Sequence, residues 1–227
     1  MKNRSKLYKS AGRFVALLLL ALISIPSNAK SNPQPEEQLD TLSFIEMINS
    51  VDLGEYSDFI QKFQDKEAQT KLVPVYVSGK NDKKNDYGCN VEYYRNKEVI
   101  VVTIPAHNIF APNETLLNDN ASQFLTPIKR YLRHPDNYRV LLVMHTDNTG
   151  SPQYREDITE ERVESIFEWF DEQGCDTSFL FPYAMADDMP IRKNDSQDNR
   201  KANRRLEIFL MPGERMLEQA KKGRIEF

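Results

Sequence analysis

Two residues in this chain have types and spacing that could do chemistry together: Asp147 and Arg162. A carboxylate accepts hydrogen bonds from cations, and a guanidinium grips a second carboxylate at two points. Asp147 follows an apolar run, Val140-Leu141-Leu142-Val143, which is short enough to be a buried strand. Between that run and the next element lies His145-Thr146-Asp147-Asn148-Thr149-Gly150, and Asn148-Thr149-Gly150-Ser151-Pro152 is dense in turn-forming residues. Thr159-Glu160-Glu161 reads as a helix start, with a hydroxyl cap and two acids. On this reading Asp147 leaves a strand, Arg162 lies in the first turn of the following helix, and one anion and one cation face the same mouth.

The surrounding elements follow from hydrophobic spacing. Val91 to Ile104 predicts a long strand or a hairpin turning near Asn96-Lys97. Thr115 to Leu132 predicts a helix burying Phe124, Ile128 and Tyr131. In the helix from Thr159, Val163, Ile166, Phe167 and Phe170 form an apolar stripe, and Gly174 suits the helix end. Ser178 to Ala184 predicts a strand, 187–201 a polar loop, and Arg205 to Met211 a central strand. The order β-α-β-α-β-β implies a two-layer α/β sandwich with helices on one face. Ahead of it, Asp40 to Phe63 predicts a helical pair covering a sheet edge. Leu72 to Val77 predicts a short edge strand because of Pro74.

Composition bounds the address and the partners. Residues 1–29 carry Lys2, Arg4, Lys6, Lys9 and Arg13 and no acid, followed by the apolar stretch Phe14 to Ile25 and small residues up to Ala29. That pattern predicts a secretory signal peptide cleaved after Ala29. The apolar stretch falls short of the roughly 20 residues a transmembrane helix needs. The residue directly after Ala29 is Lys30 and not a cysteine, which argues against a lipid anchor. Losing five basic residues takes the formal charge from −4 to −9, which is poor for binding nucleic acid or anionic membrane. Residues 30–40 read as a Pro-containing linker, 41–90 as a helical extension ending in an edge strand, 91–212 as the main domain, and 213–227 as a tail. Cys89 and Cys175 are equally compatible with a disulfide and with two free thiols.

No cofactor or metal is expected. His107, His134 and His145 are scattered, without the clustering a zinc site needs. A hydrolytic group of His145, Asp147 and Ser151 would crowd one loop with no nucleophile elbow, so the chain does not read as an enzyme.

Several short motifs, in order, carry a resemblance. His145-Thr146-Asp147-Asn148-Thr149-Gly150-Ser151, Thr159 with Arg162, Pro190-Ile191 and Asn203-Arg204-Arg205-Leu206-Glu207-Ile208 resemble the OmpA-like peptidoglycan-binding domain, as does Ile109 to Asn113. The resemblance implies that Asp147 and Arg162 grip the zwitterionic end of diaminopimelate in the wall stem peptide, with the Phe110-Ala111 backbone lining the pocket. Arg204 and Arg205 are read mainly as structural. The sequence departs from the family at Met144, Arg155, Val163 and 183–186, and Arg155 is a candidate extra contact to the ligand carboxylate. The implied setting is the periplasm, at the wall or outer membrane. The alternative function is an envelope scaffold that contacts another protein through residues 41–90 without binding peptidoglycan.

Overall fold

The computed structural model describes residues 42–77 and 87–226. The expected signal peptide (1–29) and linker (30–40) lie outside the described residues, as does most of the charged loop after Val77.

The architecture is a mixed α/β sheet with helices. Among the described residues, β1 (Asn90–Tyr94), β2 (Val99–Pro105), β3 (Tyr138–His145), β4 (Leu180–Ala184) and β5 (Arg205–Pro212) form one sheet. The strand order is β1-β2-β5-β3-β4. β1 and β2 are the predicted hairpin, and its turn places Arg95, Asn96 and Lys97 all at positive φ. β5 runs antiparallel to β2 and β3, while β4 is parallel to β3. The parallel pair requires a crossover, and α5 (Pro152–Glu172) supplies it. Gly174 ends that helix at φ 68°, as its position suggests.

Every residue of β3 is buried, because both faces of the sheet are covered. On the inner face Val140, Leu142, Met144, Ile208 and Leu210 pack with Val163, Ile166 and Phe170 of α5. The loop-helix connection α4 (Ala121–Leu125), continued as a 3-10 segment over Thr126–Leu132, adds Phe124, Leu125 and Ile128. The predicted helix from Thr115 thus begins later, at Ala121.

The outer face carries Val101, Leu141, Val143, Phe209 and Met211, which a helix-on-one-face arrangement would leave wet. α1 (Phe44–Asn49) covers it with Phe44, Met47 and Ile48. Ser43 and Glu46 form a reciprocal capping box at its start. Arg95 donates to the Ile48 carbonyl at 2.9 Å and Arg139 to the Ser50 hydroxyl at 3.0 Å. The first helix therefore closes a sheet face instead of the expected edge.

α2 (Ser57–Glu67) packs on the inner side through Ile60, Gln64 and Glu67. Gln64 donates to the Leu210 carbonyl at 3.2 Å and accepts from Tyr138 at 2.8 Å. The chain stays helical through a wide turn at Ala68–Leu72 and α3 (Val73–Tyr76), so the edge strand expected at 72–77 is absent. Leu72 and Tyr76, four apart, are both buried, and Tyr76 donates to the Phe124 carbonyl at 2.6 Å. Pro74 sits in the first turn of α3, directly after the wide turn. The apolar faces of the extension are thus used against the domain itself.

After β5, α7 (Glu214–Lys221) follows a tight corner at Gly213. A Cβ there would lie 2.2 Å from the backbone oxygen of Asp136, and the Gly213 N–H donates to the Asn137 carbonyl at 2.8 Å. Both neighbours are main chain and cannot rotate away. Gly213→Ala is expected to destabilise the fold by about 1–3 kcal/mol, as overpacking does. A denaturant titration checks this, and an unchanged midpoint would contradict it. Cys89 and Cys175 are both free thiols.

Candidate functional site

β3 delivers Asp147 two residues beyond its last member, His145. The loop is pinned there by Thr146, which donates to the Ala186 carbonyl at 2.8 Å. Asp147 is completely buried. Its Oδ1 accepts from both the backbone N–H and the hydroxyl of Thr149, a local turn common for aspartate. Its Oδ2 accepts from Arg204 Nη1 in an ion pair. Burial pushes the Asp147 carboxyl up, but the Thr149 and Arg204 donors outweigh it and hold it below the usual range.

Ser151 caps α5 and accepts from the Tyr154 N–H at 3.1 Å, with Pro152 in the first turn. The helix thus starts seven residues before the expected Thr159, and Arg162 lies in its third turn. The helix N-terminus lies at Ser151-Pro152 instead of Thr159. Arg162 is 4% exposed. Its Nε donates to the Glu114 carbonyl at 2.8 Å and its Nη2 to the Ala111 carbonyl at 3.4 Å. Its guanidinium carbon lies 4.8 Å from the Phe110 ring centroid, a cation–π contact. The loop it holds is closed by the bridge from Phe110 to Leu117 and by Asn118 N–H donating to the Ile109 carbonyl at 3.0 Å.

The structure therefore gathers Arg162, Phe110 and Ala111 in one cluster and Asp147 and Arg204 in another. Arg162 and Asp147 do not pair with each other. Burial depresses the Arg162 pKa, and the charge of Arg204 depresses it further, so the two guanidiniums sense one another. Arg155 turns elsewhere, donating to Asp187 and to the Gly150 carbonyl, each at 2.7 Å. It braces the loop on either side of the mouth. Met144 is fully buried in the inner core and points away from solvent.

Arg204, read from the sequence as mainly structural, is the side chain that pairs with Asp147. His145 and Arg205 are paired across β3 and β5, so the chain just before Arg205 must pass the chain just after His145. It also follows α6 (Gln197–Asn203), a short helix inside the expected polar loop, capped by Ser196. Asn203 of that helix is buried, and its amide is bonded to both the N–H and the carbonyl of Arg192 at 2.9 Å.

Beneath the mouth, Glu207 joins His145 at 3.1 Å and Arg205 at 2.8 Å. Burial pushes the Glu207 carboxyl up, but His145 and Arg205 overcome this and bring it to about 2. Burial lowers the His145 pKa despite Glu207, so the ring is neutral at neutral pH. An unfolded chain binds a proton at this histidine below about pH 6.5 while the folded one resists it. It likewise takes a proton at Glu207 near the ordinary value of 4.5 that the folded chain accepts only near 2. Both effects act in the same direction. Stability is expected to decline as pH falls below the ordinary histidine value, then again as it falls through the carboxylate range. Thermal melts across that span check it, and a His145→Gln variant should lose part of the first decline. A flat profile down to acid pH would contradict it.

Residues 109–204, the stretch holding Phe110, Ala111, Asp147, Arg155, Arg162 and Arg204, match the family model for OmpA. This segment is an OmpA-family domain. The chain is 32% identical over 102 residues to the outer-membrane lipoprotein YfiB of Pseudomonas aeruginosa, covering 45% of this chain and 61% of that one. It is 25% identical over 110 residues to outer membrane protein A of Bordetella avium, covering 48% and 57%. The chain thus spans about six-tenths of the length of these relatives. Among solved structures, a MotB-like protein from Desulfovibrio vulgaris superposes with a TM-score of 0.58 at 20% identity, covering 70% of this chain and 94% of that one. The periplasmic domain of Helicobacter pylori MotB gives 0.51 at 17%, covering 66% and 95%. These likenesses establish the fold of the OmpA-family domain. No helix among the described residues is long and apolar enough to cross a membrane.

Proposed function

We propose that this protein binds peptidoglycan non-covalently in the bacterial envelope, holding the zwitterionic end of a diaminopimelate stem peptide at the mouth between β3 and α5. The observation that carries this reading is that the fold fixes a cation after the start of α5 and a buried anion after the end of β3, each held by its own partners. Arg162 is locked by the Ala111 and Glu114 carbonyls, and Asp147 stands at the end of β3 with its charge preserved. A ligand carboxylate takes the guanidinium and a ligand ammonium takes the aspartate. Phe110 holds the guanidinium plane, and the 110–111 backbone forms the wall beside it. Arg155 contributes through loop geometry, since its donors are engaged by Asp187 and Gly150.

The setting in the periplasm, at the wall or the outer membrane, is supported by the names of the relatives, a lipoprotein and a protein of the outer membrane. The role proposed is binding without turnover. A second reading, a scaffold that does not bind peptidoglycan, is favoured by one observation: Asp147 is already paired with Arg204. Calorimetry with a soluble stem tripeptide carrying diaminopimelate separates the two. Saturable binding that vanishes with a peptide lacking the distal carboxylate and amine supports the first. No heat from folded protein at millimolar peptide supports the second.

A further inference from the structure

Resting on the peptidoglycan reading, we infer that Arg204 sets the specificity of the site: it occupies the seat on Asp147 that a ligand ammonium must take, and once displaced it receives the ligand carboxylate beside Arg162. The Asp147 side chain is 0% exposed, whereas that of Arg204 is 33% exposed. Asp147 Oδ1 is used twice by Thr149, which leaves Oδ2 for Arg204. A cation arriving from solvent therefore gains Oδ2 by taking the place of the arginine. An ammonium, compact and with three donors, suits that exchange.

The two arginines are built for different tasks. Arg162 is nearly buried and tied to two carbonyls. Arg204 has its main chain fixed between α6 and β5, where its carbonyl accepts from the Ala106 N–H at 2.9 Å, and among the described residues its side chain hydrogen-bonds to Asp147 alone. The backbone stays and the side chain can turn.

Charge decides which ligand profits. A lone amine that displaced Arg204 would leave that guanidinium without its carboxylate on the Arg162 side of the site, where Ala106 joins the Arg204 carbonyl at 2.9 Å to the Phe110 N–H at 2.8 Å and Arg162 covers the Phe110 ring. A lone carboxylate would reach the arginines without touching Asp147. A carbon bearing both groups completes the exchange, giving its ammonium to Asp147 and its carboxylate to the freed Arg204 and to Arg162. The site thus selects a diaminopimelate end over a lysine end, which carries an ammonium with no neighbouring carboxylate.

The test compares stem peptides carrying meso-diaminopimelate or L-lysine at the third position, titrated into wild type and Arg204→Gln. Wild type is expected to prefer the diaminopimelate peptide by on the order of tenfold or more, the worth of a charge-assisted contact. The preference is expected to collapse toward one in the variant. An unchanged ratio with intact binding overturns the role of Arg204 and leaves the peptidoglycan reading standing. Failure of wild type to bind either peptide overturns that reading and this one with it. A second measurement does not depend on the variant folding. In wild type labelled at arginine nitrogen, the Arg204 Nε–Hε resonance should move on adding the diaminopimelate peptide. If it stays still while the 147–149 amides respond, the exchange does not occur.

Discussion

Replacing Arg162 with alanine is expected to release the protein from peptidoglycan, with a loss of more than tenfold in affinity. The removed group is a charge-assisted donor worth about 1.5–3 kcal/mol. It is also the clasp of the 110–117 loop, because its Nε and Nη2 hold the Glu114 and Ala111 carbonyls and its plane covers Phe110. On the proposed reading the variant loses both the ligand contact and the shape of the wall beside it. Arg162→Lys should fall between wild type and alanine, since an ammonium keeps the charge but cannot reproduce the planar fork. Equilibrium binding to stem peptide, read beside a thermal melt, checks both. Equal affinity for wild type and Arg162→Ala would remove this residue from the site.

The largest stability loss is expected at Arg205. Its side chain is 2% exposed, and it donates to Glu207, to the Asn203 carbonyl and to the Met189 carbonyl. Arg205→Met keeps the bulk but strands Glu207 with His145 alone and leaves two carbonyls short of a donor. Removing one partner of a buried pair typically costs about 3–5 kcal/mol. Chemical denaturation should show that loss, and a change below about 1 kcal/mol, the scale of an exposed pair, would contradict it. The adjacent arginines thus divide the work. Arg205 points into the fold and holds the loop before β5, while Arg204 points toward the mouth.

Much of this arrangement was legible in the chain. The run from Val140 to Val143 reads as a buried strand because β3 is covered on both faces and needs no polar alternation. The β1–β2 turn, the stripe of α5 and the role of Gly174 follow from local rules, and local rules decided them. The misses share a physical cause, which is tertiary contact overriding local preference. Val73-Pro74-Val75-Tyr76-Val77 has strand-like composition, yet Leu72 and Tyr76 are buried at helical spacing and fix it as helix. The residues after Pro152 are polar enough to pass for loop, but a proline after a serine cap is a helix start that polarity conceals. The cover over the outer face was hidden as well, since Phe44, Met47 and Ile48 are distant in sequence from Leu141 and Phe209.

The proposed ligand pair, Asp147 and Arg162, was singled out from residue type and the motifs around it. The partner of Asp147 was not, because Arg204 lies 57 residues away. An antiparallel β3–β5 pairing, with His145 opposite Arg205, was the one signal that could have found it.

The most direct measurement is co-sedimentation of the folded protein with purified sacculi, run for wild type, Asp147→Ala and Arg162→Ala, with melts to show that each chain is folded. Wild type is expected to sediment and both folded variants to remain in the supernatant. Wild type left in the supernatant, or folded variants that sediment as well as wild type, would contradict the peptidoglycan reading.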